Sequence, residues 1–168
     1  KDWGSSHRFA GAGDRAVIGN IVYDALRRKL SLGWRMGSDS ASSLAYGALL
    51  SDGGLSYEAI LEAVTNDKFS PPALSSDQLS NWLNNDISQA EDYIQADVPL
   101  WCVEKLRATF GDDWVAQAAA LANRPPVDLR VNRLKATREQ LLQALDGTGA
   151  AAAPFLDDAV RIPPIEAL

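Results

Sequence analysis

Cysteine, histidine and methionine each occur once in the 168 residues. A single cysteine excludes an internal disulfide framework, and with one histidine no Cys/His/carboxylate cluster has metal-ligand spacing, so no metal is expected. Long apolar runs are also missing. None reaches the ~20 residues needed to cross a bilayer, and the first residues lack a signal-peptide pattern. The expectation is a soluble, cytoplasmic protein with no membrane partner. Nor is positive charge in excess: 16 Lys/Arg stand against 22 Asp/Glu, a net charge of −6, whereas nucleic-acid-binding domains are usually basic.

The distribution of that charge is more informative than its sum. Residues 1–36 carry seven Lys/Arg against three Asp/Glu, residues 37–122 three against thirteen, and residues 123–168 six against six. A basic entrance and a locally basic junction therefore flank an acidic middle, and any polyanion should meet the two flanks and avoid the middle. At 46% apolar, the chain has material for one medium domain, or one domain and part of another.

What is present reads as helical for most of its length. Lys1 to Ala12 has no periodicity and is expected to be an extended lead-in that docks by Trp3 and Phe9. Val17, Ile18, Ile21, Val22, Ala25 and Leu26 then follow a helical apolar spacing, with Asp14 placed as N-cap and Arg27, Arg28 and Lys29 in the last turns. A loop is expected over Ser31 to Asp39, then a short helix around Leu44 to Leu49 stopped by Asp52-Gly53-Gly54, and a third helix after Ser56. Further helices are predicted at about 76–84 and 98–110, with Asp97 and Pro99 at the start of the latter and Gly111 at its end, and one more capped by Asp112. Helices this short are marginal alone, so residues from about 14 to 122 are expected to pack as one bundle.

The pattern changes at Asn123-Arg124-Pro125-Pro126, where two prolines lack backbone donors. Val127, Leu129 and Val131 alternate with polar residues, which predicts a strand. Thr137 precedes Gln140 at capping-box spacing, Leu141, Leu142 and Leu145 supply an apolar face, and Gly147 is the expected stop. Val160 and Ile162 suit a second strand. Two strands and one helix do not complete an α/β domain, so the reading is of a fragment.

The stretch RPPVDLRVNRLKATREQLLQAL, after a helix carrying Pro99, Trp101 and Leu106, resembles the junction region of the Sun/RsmB family of RNA cytosine-5 methyltransferases. RFAGAGDRAVIGNIVYDALRR resembles the glycine-aspartate-arginine turn and following helix of that family's NusB-like domain. The resemblance implies a mainly α fold: a NusB-like helical bundle over 1–122, followed over 123–168 by the start of a small, incomplete RNA-recognition-like α/β domain. It also implies that a catalytic domain binding S-adenosylmethionine lies elsewhere in the parent protein, that this chain holds no cofactor, and that its partners are structured, ribosomal RNA and its own missing catalytic domain.

The residues themselves carry no catalytic constellation. Cys102 sits in an amphipathic helix outside any Pro-Cys or Thr-Cys dipeptide, and the nucleophile role that the family resemblance implies is not carried onto it. Gly11-Ala12-Gly13 follows no predicted strand and makes no phosphate cradle, while Glu91-Asp92 and Asp112-Asp113 read as caps or solvated acids. Trp82, Trp101 and Trp114 fall at apolar helical positions and are expected in the core; Trp3 and Trp34 lie in predicted loops beside basic residues. The expected RNA contacts are Arg15, Arg27, Arg28 and Lys29 near the first helix and Arg130, Arg133, Lys135 and Arg138 around the predicted strand. A free-standing NusB-like adaptor acting in transcription antitermination, and a helical interaction domain unrelated to either family, are the alternatives.

Overall fold

The computed structural model describes residues 3, 6–51, 54–154 and 156–164. Lys1 and Asp2 of the lead-in, and Asp52 and Gly53 of the expected helix stop, lie outside the described residues. The fold is mainly α with a small three-stranded antiparallel sheet. One compact unit runs up to Asn123 and a second begins at Arg124.

In the first unit, α1 spans Ala12–Arg27, α2 Lys29–Met36, α3 Ala41–Ser51, α4 Tyr57–Thr65, α5 Ser76–Asn84, α6 Asp92–Gln95, α7 Leu100–Phe110 and α8 Trp114–Ala120. The N-cap of α1 is Gly11 rather than Asp14; Asp14 sits three residues in, and its carboxylate accepts from the Gly11 N–H at 2.8 Å. The wide apolar face expected on this helix is only partly covered, since Ala25 is buried while Val22, Tyr23 and Leu26 are 48%, 64% and 60% exposed.

The expected loop at Ser31 to Asp39 is instead mostly helix, α2, and it is central to the unit. Leu32 and Met36 are 2% and 0% exposed and belong to two apolar clusters, one with Ala25, Leu44 and Ala48 and one with Tyr46, Ile60 and Leu74. Trp82 packs against both, and the Arg35 guanidinium lies 3.5 Å from its ring centroid. Nothing local starts α2, because Arg28 at its N-cap offers no side-chain acceptor. Asp97 does so from a distance: its Oδ1 accepts from the backbone N–H groups of Leu30 and Ser31 at 3.0 and 2.8 Å, and its Oδ2 from the Ser31 hydroxyl at 2.5 Å. Asp97 therefore caps a neighbouring helix and not α7, whose N-cap is Pro99, and it does so from a left-handed backbone at φ 51°.

The other end of α2 is closed in the same manner. Asn85 donates to the Trp34 carbonyl at 2.9 Å and Asn81 to the Met36 carbonyl at 3.4 Å. Gly37 ends the helix at φ 62°, and a Cβ there would lie 2.2 Å from Asn81 Nδ2, so both the backbone angle and the close approach require glycine. Against α2, α3 places Gly47, where a Cβ would meet Leu32 and Met36 at 3.3 Å. Helix α5 begins with a full capping box, Ser75 and Gln78 exchanging bonds of 2.9 and 3.2 Å. Asp112 caps nothing; Gly111–Asp113 form a 3-10 turn before α8, which buries Trp114 and Ala118 with Ala96. Trp101 is not in this core and stands 74% exposed.

In the second unit, β1 spans Val127–Arg130, α9 Arg138–Ala144, β2 Ala151–Ala152 and β3 Ala159–Ile162, and the strand order is β1-β3-β2. Both predicted strands are present, and β2 is an addition that the alanine run did not announce. The register places Asp128 opposite Arg161 and Leu129 opposite Val160, which is fully buried. Thr137 and Gln140 form the predicted capping box, at 2.8 and 3.2 Å, and Gly147 has φ 81°.

Burial raises the pKa of Asp97, and the hydrogen bonds from Ser31 and Leu30, which lower it, do not offset that cost. The folded state thus holds the proton more tightly than the unfolded chain does. The stability so contributed is complete below the ordinary carboxylate range and is lost as pH rises through the raised value. Chemical denaturation across that window should show the decline in the wild type and a flatter profile in Asp97→Asn, whose amide oxygen still accepts from Leu30 and Ser31. Asp97→Ala should cost about 1–2 kcal/mol at neutral pH, the usual loss for a helix cap.

Candidate nucleic-acid interface

The cations singled out in the sequence fall on the two units, and each group has its own chemistry. In the first unit, Arg15 is exposed on α1 and its Nε donates to the Gly11 carbonyl at 3.1 Å. Arg27 is committed to structure: it pairs at 2.6 Å with Asp24, whose side chain is 6% exposed. Arg28 is half-buried and donates to Ser51 Oγ at 3.4 Å and Asn123 Oδ1 at 3.3 Å. Lys29 is exposed at the first position of α2. Four cations close in sequence thus divide into two that point outward and two that hold the fold.

The second group surrounds one turn. Strand β1 hands over at Val131, whose N–H donates to the Asp158 carbonyl at 2.8 Å. The chain then reverses around Asn132. Its side-chain oxygen accepts from Leu134 N–H at 3.1 Å, and its carbonyl accepts from Lys135 and Ala136 at 2.8 and 3.0 Å. The Thr137–Gln140 box follows at once, so the turn is pinned at both ends by local hydrogen bonds. Arg130, Arg133 and Lys135 are exposed around it and Arg138, first residue of α9, is half-exposed. Leu134, between Arg133 and Lys135, is 97% exposed.

Two residues of this region were not singled out from the sequence. Arg161 on β3 grips Asp128 through two bonds of 2.7 Å. That bidentate contact holds the Asp128 carboxyl below its ordinary range and neutralises the acid on the strand face. The signal was the alternation of Val160, Arg161 and Ile162 opposite Val127, Asp128 and Leu129, but register is needed to pair them. Leu134 carries no periodic signal, because an apolar residue in a polar turn fits neither a helix nor a strand pattern.

Elsewhere the candidate chemistry is structural. His7 stacks on Trp3 at 4.4 Å and its Nδ1 lies 2.8 Å from the Trp3 carbonyl, so the lead-in aromatics stack on one another, with Phe9 82% exposed. Asp92 of the Glu91-Asp92 pair bonds Arg107 at 3.0 Å. Cys102 is a half-buried free thiol. Among the described residues no three His, Cys, Asp or Glu are grouped to hold a metal ion, and no helix is long and apolar enough to cross a membrane.

Residues 98–164 match the family model of the ferredoxin-like domain of RsmF/B-like methyltransferases. A 66-residue stretch is 38% identical to the ribosomal RNA small subunit methyltransferase B of Serratia proteamaculans (strain 568), covering 38% of this chain and 15% of that protein. The corresponding protein of Shigella flexneri and the probable one of Coxiella burnetii (strain RSA 493 / Nine Mile phase I) are each 36% identical over 66 residues, again 15% of their length. The alignment therefore spans about 15% of the curated relatives. The family-model match contains the turn around Asn132 and the cations about it. Residues 8–28, the other stretch of resemblance, lie outside that match.

Substitution should separate the two kinds of cation. Arg27→Ala removes the guanidinium bonded to the nearly buried Asp24 carboxylate and should lower stability by about 1–3 kcal/mol. Lys29→Ala should leave the melting temperature unchanged; thermal melts of the two variants compare them directly.

Proposed function

We propose that this chain is the RNA-holding, substrate-positioning region of a Sun/RsmB-like, S-adenosylmethionine-dependent RNA cytosine-5 methyltransferase, with the chemistry carried by a catalytic domain outside these 168 residues. The match of residues 98–164 to the RsmF/B-like ferredoxin-like domain carries the reading. The naming of its relatives as small-subunit ribosomal RNA methyltransferases supports ribosomal RNA as the substrate class. In this reading Arg133, Lys135, Arg130 and Arg138 meet phosphates in one unit, and Arg15 and Lys29 do so in the other, with Arg28 and Arg27 shaping the surface they sit on.

The residues present do not fit S-adenosylmethionine. A backbone cradle for that cofactor needs a glycine-rich turn after a strand. Here β1 runs into Asn132-Arg133-Leu134 and β3 into Pro163-Pro164. No step through the cofactor is assigned to this chain. Its contribution is orientation: fixing a bound RNA removes translational and rotational freedom that a catalytic domain would otherwise have to overcome. A free-standing NusB-like adaptor has no use for the β1-α9-β2-β3 unit, which makes it the weaker reading.

Titration with a structured RNA at two salt concentrations tests the proposal. Several Lys/Arg–phosphate contacts should give a steep loss of affinity as salt rises, and Arg133→Ala with Lys135→Ala should reduce the slope of log K against log salt by about 1–2. Affinity indifferent to salt, or a calorimetric signal for S-adenosylmethionine with this chain alone, would count against it.

A further inference from the structure

Leu134 has no role in the packing of its own unit. It is 97% exposed at the tip of a turn whose backbone is fixed by Asn132 on one side and by the Thr137–Gln140 box on the other. A fully solvated leucine on a stiff support forfeits the stabilisation that burial would give, so it gains only when something covers it. The charges around it identify the occupant. Arg133 and Lys135 flank it directly, and Arg130 and Arg138 stand at the adjoining ends of β1 and α9. Of the nearby acids, Asp128 is engaged by Arg161, Glu139 lies in the first turn of α9, where it complements the helix dipole, and Asp157 and Asp158 stand before β3, with the Asp158 carbonyl on the Val131 N–H. An exposed apolar side chain with a cation on either side of it in the chain complements a polyanion that also offers flat apolar faces, which is the chemistry of nucleic acid.

We infer that Leu134 is a wedge that enters an unstacked step of the bound RNA while Arg133 and Lys135 hold the phosphates on either side. This rests on the RNA-holding reading and adds a positioning residue to it. Inserted aliphatic side chains part neighbouring bases and distort the strand, and the rigidity of the Asn132 turn lets the leucine resist being pushed back. In a methyltransferase such a wedge would help expose a base for chemistry elsewhere on the strand, since a target base must leave its stack to be modified.

The test uses the full chain and a set of short RNA hairpins with a single-nucleotide bulge, each carrying 2-aminopurine beside the bulge, whose fluorescence rises on unstacking. Wild-type protein should bind and raise the fluorescence. Leu134→Ala should weaken binding about ten- to thirtyfold, leave the salt slope unchanged and abolish the rise, while Leu134→Met retains both. The Arg133→Ala, Lys135→Ala double variant should lower the slope yet keep the fluorescence rise at saturation. An unchanged melting temperature for Leu134→Ala, expected from its exposure, excludes misfolding. Wild-type affinity and fluorescence in Leu134→Ala would overturn the wedge and leave the leucine to a protein contact. Failure of the wild type to bind any hairpin would remove the RNA-holding reading itself, and the wedge with it.

Discussion

The first unit depends on how the two ends of α2 find hydrogen-bond partners. Every helix leaves backbone donors and acceptors unsatisfied at its termini, and a helix of eight residues is nearly all termini. Arg28 offers no cap, so the donors at Leu30 and Ser31 turn to Asp97; the carbonyls of Trp34 and Met36 turn to Asn85 and Asn81. Once both ends are met, Leu32 and Met36 are held against α3 and become the point where two apolar clusters meet. Close approach completes the arrangement, with Gly37 leaving room for Asn81 and Gly47 for Leu32 and Met36.

That dependence explains which parts of the fold the sequence discloses. Helix α5, helix α9 and strand β1 were legible because their signals lie within a few residues: the apolar spacing of Leu79, Trp82 and Leu83, Thr137 with Gln140, and the alternation from Val127 to Val131. Helix α2 was not, because its cap comes from 66 or 67 residues away and its interior holds Gly33. Asp97 misled for the same reason, standing where a cap for α7 is expected while serving another helix. The apolar residues of α1 and Trp101 of α7 have helical spacing but are largely exposed, since periodicity predicts a face and not what covers it.

The candidate interface was legible as charge and illegible as geometry. Clusters of Lys and Arg can be counted in a sequence; their engagements cannot. In the folded chain Arg27 is bound to the nearly buried Asp24 and Arg28 is spread between Ser51 and Asn123, against Arg133 and Lys135 displayed on a stiff turn. Basic character that looks uniform in sequence is thus divided between holding the protein together and standing exposed on the surface. The second unit has only a small sheet, and its local order at the turn comes from hydrogen bonds more than from a core.

The reach from Asp97 back to Leu30 also bears on how the chain matures as it is made. A ribosome delivers residues from the amino end, and an uncapped eight-residue helix has little tendency to persist in water. The segment that becomes α2 therefore lacks its amino-terminal cap until residue 97 has left the exit tunnel, although the residues that pack on Leu32 and Met36 are made earlier. Nascent chains stopped short of that point would hold the start of α2 less firmly than slightly longer ones do.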